Sequence, residues 1–144
     1  MAAHLIRGAV VGTWMLAVAA PALALDPGQP VAVTPILTTT QTAADQPIVL
    51  PQEDVHVTAS RYEIAPGATL PVHKHPYQRY AYVLAGTLEV TDVESGKTTT
   101  YKPGDFIVEV VDRWHQGRNV GTDKVELFVI DQVAGDAQQT ILKQ

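Results

Sequence analysis

The chain has no cysteine, so no disulfide can staple it and no lipid can be carried on an N-terminal cysteine. It also has no basic run: ten Lys and Arg stand against fifteen Asp and Glu, a formal net charge of −5. That balance excludes the electrostatic footprint of a nucleic-acid-binding protein or one held on an anionic lipid surface. No segment carries a sustained helical period with caps, and no internal repeat is present. Phosphate-binding glycine loops are missing, and Ser60 and Ser95 lack the Gly-x-Ser-x-Gly setting of a serine nucleophile.

What is there begins with an export pattern. Arg7 is the one charge before a stretch, Gly8 to Ala20, that is apolar apart from Thr13, and Pro21 precedes the small-x-small sequence Ala22-Leu23-Ala24. Residues 1–24 are therefore expected to be a secretory signal peptide, leaving a periplasmic or secreted protein that begins at Leu25 and has no membrane attachment after cleavage. The competing reading is an uncleaved anchor, since the uncharged stretch from Gly8 to Leu25 reaches the lower end of a spanning helix. Arg7 has no adjacent second arginine, which argues for export unfolded and for any metal being acquired afterwards. Residues 25–144 then hold all fifteen acidic residues against nine basic ones, enough chain for one domain with a single core.

Residues 25–47, rich in Pro, Thr, Gln and Ala, read as a flexible N-terminal arm or an edge-strand extension. From residue 48 to 144 the character changes to short β-type runs: Val55 to Ile64, Tyr80 to Leu84, Thr87 to Val93, Thr98 to Tyr101, Phe106 to Val111 and Val125 to Val133. Turn residues such as Pro66-Gly67, Gly86, Gly96 and Pro103-Gly104 separate them, which indicates an all-β sandwich or barrel.

Four histidines lie outside the export segment, and three of them are patterned. His73 and His75 sit at i and i+2, so on a strand both rings leave the same face. With His115 they can converge on one divalent transition metal, for which Fe, Mn, Ni, Cu and Zn are all candidates. His56 has no partner in the pattern and reads as a surface or structural residue. The full spacing is Gly67-x5-His73-x-His75-x3-Arg79-x6-Gly86, then Gly104-x5-Val110-x-Asp112-x2-His115-x3-Asn119. Both lines keep the spacing of the two motifs of the cupin superfamily, which this chain resembles over about Arg61 to Val133.

The resemblance implies a small antiparallel jelly-roll β-barrel with the motif residues in its lumen, and commonly a homodimer. Val110 stands where the second motif usually has proline and Asp112 where it has glycine, which implies a different turn before His115. Arg79 occupies the place of the family's glutamate ligand and cannot ligate, because a guanidinium has no available lone pair. What remains is similar to the three-histidine cupin dioxygenases, with two more units of positive charge than the four-ligand site. Arg79 lies an even number of residues from His75, so it faces the same lumen either as a clamp on a substrate carboxylate or in an internal salt bridge with Glu109 or Glu63. Gln78 is a further ligand candidate if a bulge shifts the register. Tyr77, Tyr80 and Tyr82 are first of all wall residues, with Tyr82 taken as the hydroxyl that reaches a ligand.

Three function classes follow from this reading, of which one, a metal-binding or storage role, needs only the histidines. Another is a metal-dependent, dioxygenase-like oxidoreductase acting on a small anionic organic molecule. The third is a non-catalytic module that captures a carboxylate or sugar acid in the barrel through Arg79.

Overall fold

The computed structural model describes residues 31–144, so the expected signal peptide, residues 1–24, lies outside the described residues. Residues 36–144 form one compact unit; residues 31–35 lie outside it and have no regular secondary structure. Nine strands and no helix occur among the described residues: β1 Val55–Ile64, β2 His73–Lys74, β3 Arg79–Ala85, β4 Leu88–Asp92, β5 Thr98–Tyr101, β6 Phe106–Val108, β7 His115–Asn119, β8 Val125–Ala134 and β9 Ile141–Leu142. They make two antiparallel sheets, ordered β1-β8-β3-β6 and β5-β4-β7-β2-β9, the all-β jelly-roll arrangement.

Alternation along the strands decides which side chains enter the barrel. In β8, Val125, Leu127, Val129, Asp131 and Val133 are buried, while Glu126, Phe128, Ile130 and Gln132 between them face outward. In β3, Arg79, Ala81 and Val83 are buried in the same way. The inward apolar residues Ile64, Ala81, Val83, Leu88, Ile107, Val125, Leu127 and Val129 form the core. Register then segregates the interior. Val83 pairs with Leu127 in the apolar part, whereas Arg79 pairs with Asp131 farther along the same two strands. One end of the barrel is a hydrocarbon core and the other holds charged and imidazole groups.

Several segments depart from expectation. Residues 39–47, expected within a mobile arm, fold into a turn closed by the Gln41–Pro47 bridge and dock on β6 through Ala43 N–H to Val108 O at 2.9 Å. The Gln46 amide binds both backbone groups of Val111, at 2.8 and 3.0 Å. Strand β6 is a sheet edge, and this turn satisfies backbone groups that would otherwise be open to another chain. Strand β6 itself ends at Val108, before the expected Val111, because the chain there leaves β3 and bridges Val111 to His75. Strand β7 and the short β9 were not among the expected runs, and the strand at the His73–His75 pair is only two residues long. Strands β2 and β9 pair His73 with Leu142 and Lys74 with Ile141, which brings the C-terminal residues against the histidine strand.

Gly86 in the β3–β4 hairpin has φ +78°, and an added Cβ would stand 2.6 Å from Lys124 O and 2.7 Å from Val125 Cα at the start of β8. Gly96, at φ +69°, has open space around it. Gly96→Ala is therefore expected to cost about 1 kcal/mol, the strain of a left-handed residue alone. Gly86→Ala should cost clearly more, about 3 kcal/mol, because backbone must move as well. Denaturant unfolding of the two variants checks this; equal losses would mean that the close approach to β8 carries no weight.

Candidate metal centre

His73 lies in β2, His75 follows it by two residues, and His115 opens β7 directly opposite His73. All three are buried, and one ring nitrogen from each comes within 4.8 Å of the others. The ring centroids are 4.4 to 5.0 Å apart.

The outer nitrogens settle the tautomers. His73 Nδ1 lies 2.7 Å from Pro71 O, His75 Nδ1 2.9 Å from Gln139 O, and His115 Nδ1 2.9 Å from Arg113 O. A carbonyl oxygen only accepts, so each Nδ1 carries a proton and donates it. In the neutral ring the lone pair then sits on Nε2, the form in which imidazole binds a metal. His115 Nε2 is buried without a hydrogen-bond partner, which is the condition of a ligand atom awaiting a cation. Burial, reinforced by the neighbouring His115 and His75, brings the His73 pKa down to about 4, so that ring keeps its lone pair at neutral pH.

Asp112 bears directly on this geometry. It adopts φ +54°, the left-handed conformation that glycine supplies most readily and that aspartate tolerates. Its N–H donates to His75 O at 2.8 Å, and its carboxylate pairs with Lys74 at 3.0 Å.

Arg79 is enclosed, with 4% of its side chain exposed. Its Nε pairs with Asp131 Oδ1 at 2.6 Å, and Asp131 is itself 3% exposed. Nη2 donates to Thr140 Oγ1 at 3.1 Å, and Nη1 lies 3.3 Å from His75 Nε2. The guanidinium is tied into an internal salt bridge, and its fork has no free edge for a substrate carboxylate. The partner is Asp131, the residue opposite it in register, and neither Glu63 nor Glu109. Glu63 lies outside, 2.9 Å from Lys124.

Tyr82 also differs from expectation. It is three residues from Arg79 and so leaves β3 on the outward face, paired in register with Phe106 and Phe128. Tyr62 and Tyr101 are the tyrosines packed on the core, and Arg79 lies 5.6 Å from the Tyr62 ring centre. Gln78 is buried, but its amide nitrogen donates to Arg79 O and Glu109 O, both at 2.9 Å, and braces backbone.

The residue that sequence reasoning misplaced is Glu109. Its Oε2 stands 3.1 Å from His75 Nε2 and 3.4 Å from His115 Nε2, inside the histidine cluster. Burial raises a carboxyl pKa, but hydrogen bonds from His115 and His75 when these rings are protonated, together with the Arg79 charge, more than offset this, so in the metal-free protein Glu109 is held well below the usual carboxylate range. Its position two residues beyond the inward Ile107 was the available signal.

His115 lines two cavities. One, of about 40 Å³, is bounded by His73, Arg79, Glu109 and His115 together with Tyr62 and Leu70. In front, about 230 Å³ opens toward Ala43, Asp45, Asp92, Lys97 and Arg113. Asp92 pairs with Arg113 at 2.7 Å and also accepts from Ser95 N–H at 2.8 Å.

The family model described as cupin domain matches residues 60–131, half of the chain. Three solved structures are similar in fold. A polyketide cyclase from Streptomyces resistomycificus is 18% identical with a TM-score of 0.52, over 61% of this chain and 62% of that one. An uncharacterised conserved protein with a double-stranded beta-helix domain from Klebsiella pneumoniae is 22% identical, TM-score 0.50, over 78% and 96%. A variant of the oxalate decarboxylase of Bacillus subtilis is 21% identical, TM-score 0.50, over 60% and 23%. The chain thus spans less than two thirds of the cyclase and about a quarter of the decarboxylase, and at these identities the likeness is one of fold alone. No curated protein sequence matches the chain.

Removing one member of the buried Arg79–Asp131 pair strands the other charge. Arg79→Met is expected to cost about 3 to 5 kcal/mol, while the double variant Arg79→Met/Asp131→Leu should recover most of that. Unfolding free energies of the single and double variants check this. A double variant as unstable as the single one would mean that the loss comes from packing and not from an uncompensated charge.

Proposed function

The chain belongs to the cupin domain family, and on that footing we propose that it is an exported metalloprotein whose His73, His75 and His115 hold one divalent transition metal. The observation that carries this reading is that all three Nδ1 protons are spent on backbone carbonyls, which leaves three Nε2 lone pairs turned to one point. When bound, the metal would supply Lewis acidity and, if Fe, Mn or Cu, redox capacity toward dioxygen. The reaction class we propose is dioxygenase-like oxidation of a small anionic organic molecule.

The residues around the centre support that choice of substrate size. The cavity of about 230 Å³ in front of His115 suits a molecule smaller than most drug-sized ligands. Lys97 and Arg113 stand at its rim with Asp92 and Asp45, and since Arg113 is paired with Asp92, Lys97 is the cation there left to meet a substrate group. A small molecule held at this rim meets His115, while the chamber of about 40 Å³ that His73, Glu109 and His115 share has room for little more than water-sized molecules. Capture of a carboxylate by Arg79 alone, the non-catalytic alternative, loses its anchor because that guanidinium is enclosed with Asp131.

The test starts from protein recovered from the periplasm, whose intact mass is expected to begin at Leu25. Elemental analysis should find one transition metal per chain. Each of His73→Ala, His75→Ala and His115→Ala should weaken metal binding at least tenfold, about 1.4 kcal/mol, with the β circular dichroism kept. A triple-alanine variant that binds metal as the native protein does would remove the basis of the reading.

A second copy of the chain is proposed as the cover of the outer face of the β1-β8-β3-β6 sheet. Phe128 is 44% exposed there and Leu84 45%, beside Tyr80, Tyr82 and Phe106, with no helix among the described residues to shield them. An apolar sheet face shared by antiparallel strands is self-complementary across a twofold axis. Light scattering at micromolar concentration is expected to give a homodimer, and Phe128→Asp a monomer of unchanged fold. A native protein that is monomeric with and without metal contradicts this.

A further inference from the structure

The placement of Glu109 raises a question that the histidines alone do not answer. Its Oε2 faces His75 Nε2 at 3.1 Å and His115 Nε2 at 3.4 Å. Both rings already donate through Nδ1 to carbonyls, so in their neutral form both Nε2 atoms present lone pairs. A carboxylate oxygen against two lone pairs is a set of three acceptors, one of which, His75 Nε2, also has Arg79 Nη1 as a donor at 3.3 Å. Such a set is held together by a cation, either a proton on a ring nitrogen or a metal ion, and the two rings with the carboxylate are ordinary ligands of a divalent metal.

The backbone makes this position a built one. Glu109 N–H donates to Arg79 O at 3.0 Å, and its own carbonyl accepts from the buried Gln78 amide at 2.9 Å. The carboxylate is thereby carried inward on the residue next to Arg79 across the sheet.

We infer that Glu109 is the carboxylate ligand of the metal centre, supplied from beyond β6 in place of the glutamate that Arg79 replaces in the family pattern. Charge supports the exchange. Asp131 cancels Arg79, so with Glu109 ionised and the histidines neutral the pocket has one net negative charge, as a three-histidine, one-glutamate set would. The two extra positive charges expected from the sequence are absent because both carboxylates have moved to neighbouring strands.

This inference rests on the three-histidine reading, and Co²⁺ separates the two, since its visible absorption reports the ligand set as well as occupancy. The full-length mature protein and Glu109→Gln are titrated by calorimetry and by absorption. The Gln variant is expected to bind Co²⁺ at least about tenfold more weakly, since even residues behind the ligands commonly cost that much, and to show a shifted band. Equal affinity and an unchanged band would overturn the role of Glu109 and leave the histidines as the site. Weaker binding with an unchanged band would also overturn it, because Glu109 would then act through charge alone. Absence of Co²⁺ binding by the native protein would end both readings. If the Gln variant loses the β fold, Glu109→Asp serves in its place. It keeps the charge but draws the oxygen back by one methylene, and the same weakening and band shift are expected, with native values contradicting the assignment.

Discussion

A guanidinium enclosed in a β-barrel must be neutralised where it stands, and the polar end of this molecule is arranged around that requirement. Arg79 and Asp131 are opposite each other in the β3–β8 register, so the ion pair forms across one sheet without a bend in either strand. Thr140 takes a second edge of the fork, and this draws the C-terminal residues over the barrel end. Gln139 O is thereby placed against His75 Nδ1, and β9 against β2. The orientation of the His75 ring thus depends on a charge pair that lies behind it. Arg79 Nη1, 3.3 Å from His75 Nε2, also points a donor at a nitrogen whose lone pair faces the site.

Separation of the interior into an apolar and a polar end explains how a small domain without disulfides tolerates this. Ile64, Val83, Val125 and Leu88 fill one end from four strands and are almost wholly buried. Buried side chains of this kind contribute about 1.5 to 3 kcal/mol each, which offsets the cost of desolvating several charged groups at the other end. The Gln41–Pro47 turn then closes the β6 edge and adds Ala43 and Asp45 to the rim in front of His115. Stability, edge protection and the shape of the entrance share the same few residues.

Much of this was legible from residue order. The bounds of β1 and β5 agree with the apolar alternation from Val55 to Ile64 and with the Thr-rich run from Thr98 to Tyr101. The histidines come together because motif spacing encodes strand parity. The same parity places Tyr82 outside, an odd number of residues from Arg79, and marks Asp131 as an acid in the inward row of β8. Glu109 was harder to place, because the turn of the chain from β3 toward His75 after Val108 follows no apolar pattern. Strands β2 and β9 have two residues each and carry no period at all. Asp112 shows a further limit, since a motif position judged by residue type concealed a conformation that aspartate can still adopt.

The central claim is that three imidazoles, each held by a carbonyl at Nδ1, present Nε2 to a single ion. The most direct measurement is ¹⁵N NMR of the histidine side chains during titration with Zn²⁺, which is diamagnetic and leaves all resonances visible. The account expects the Nε2 signals of His73, His75 and His115 to change together and to saturate at one equivalent, each Nδ1 keeping its proton, while exposed His56 stays unchanged. Metal-induced change at Nδ1, or a response of His56 in place of any of the three, would contradict it.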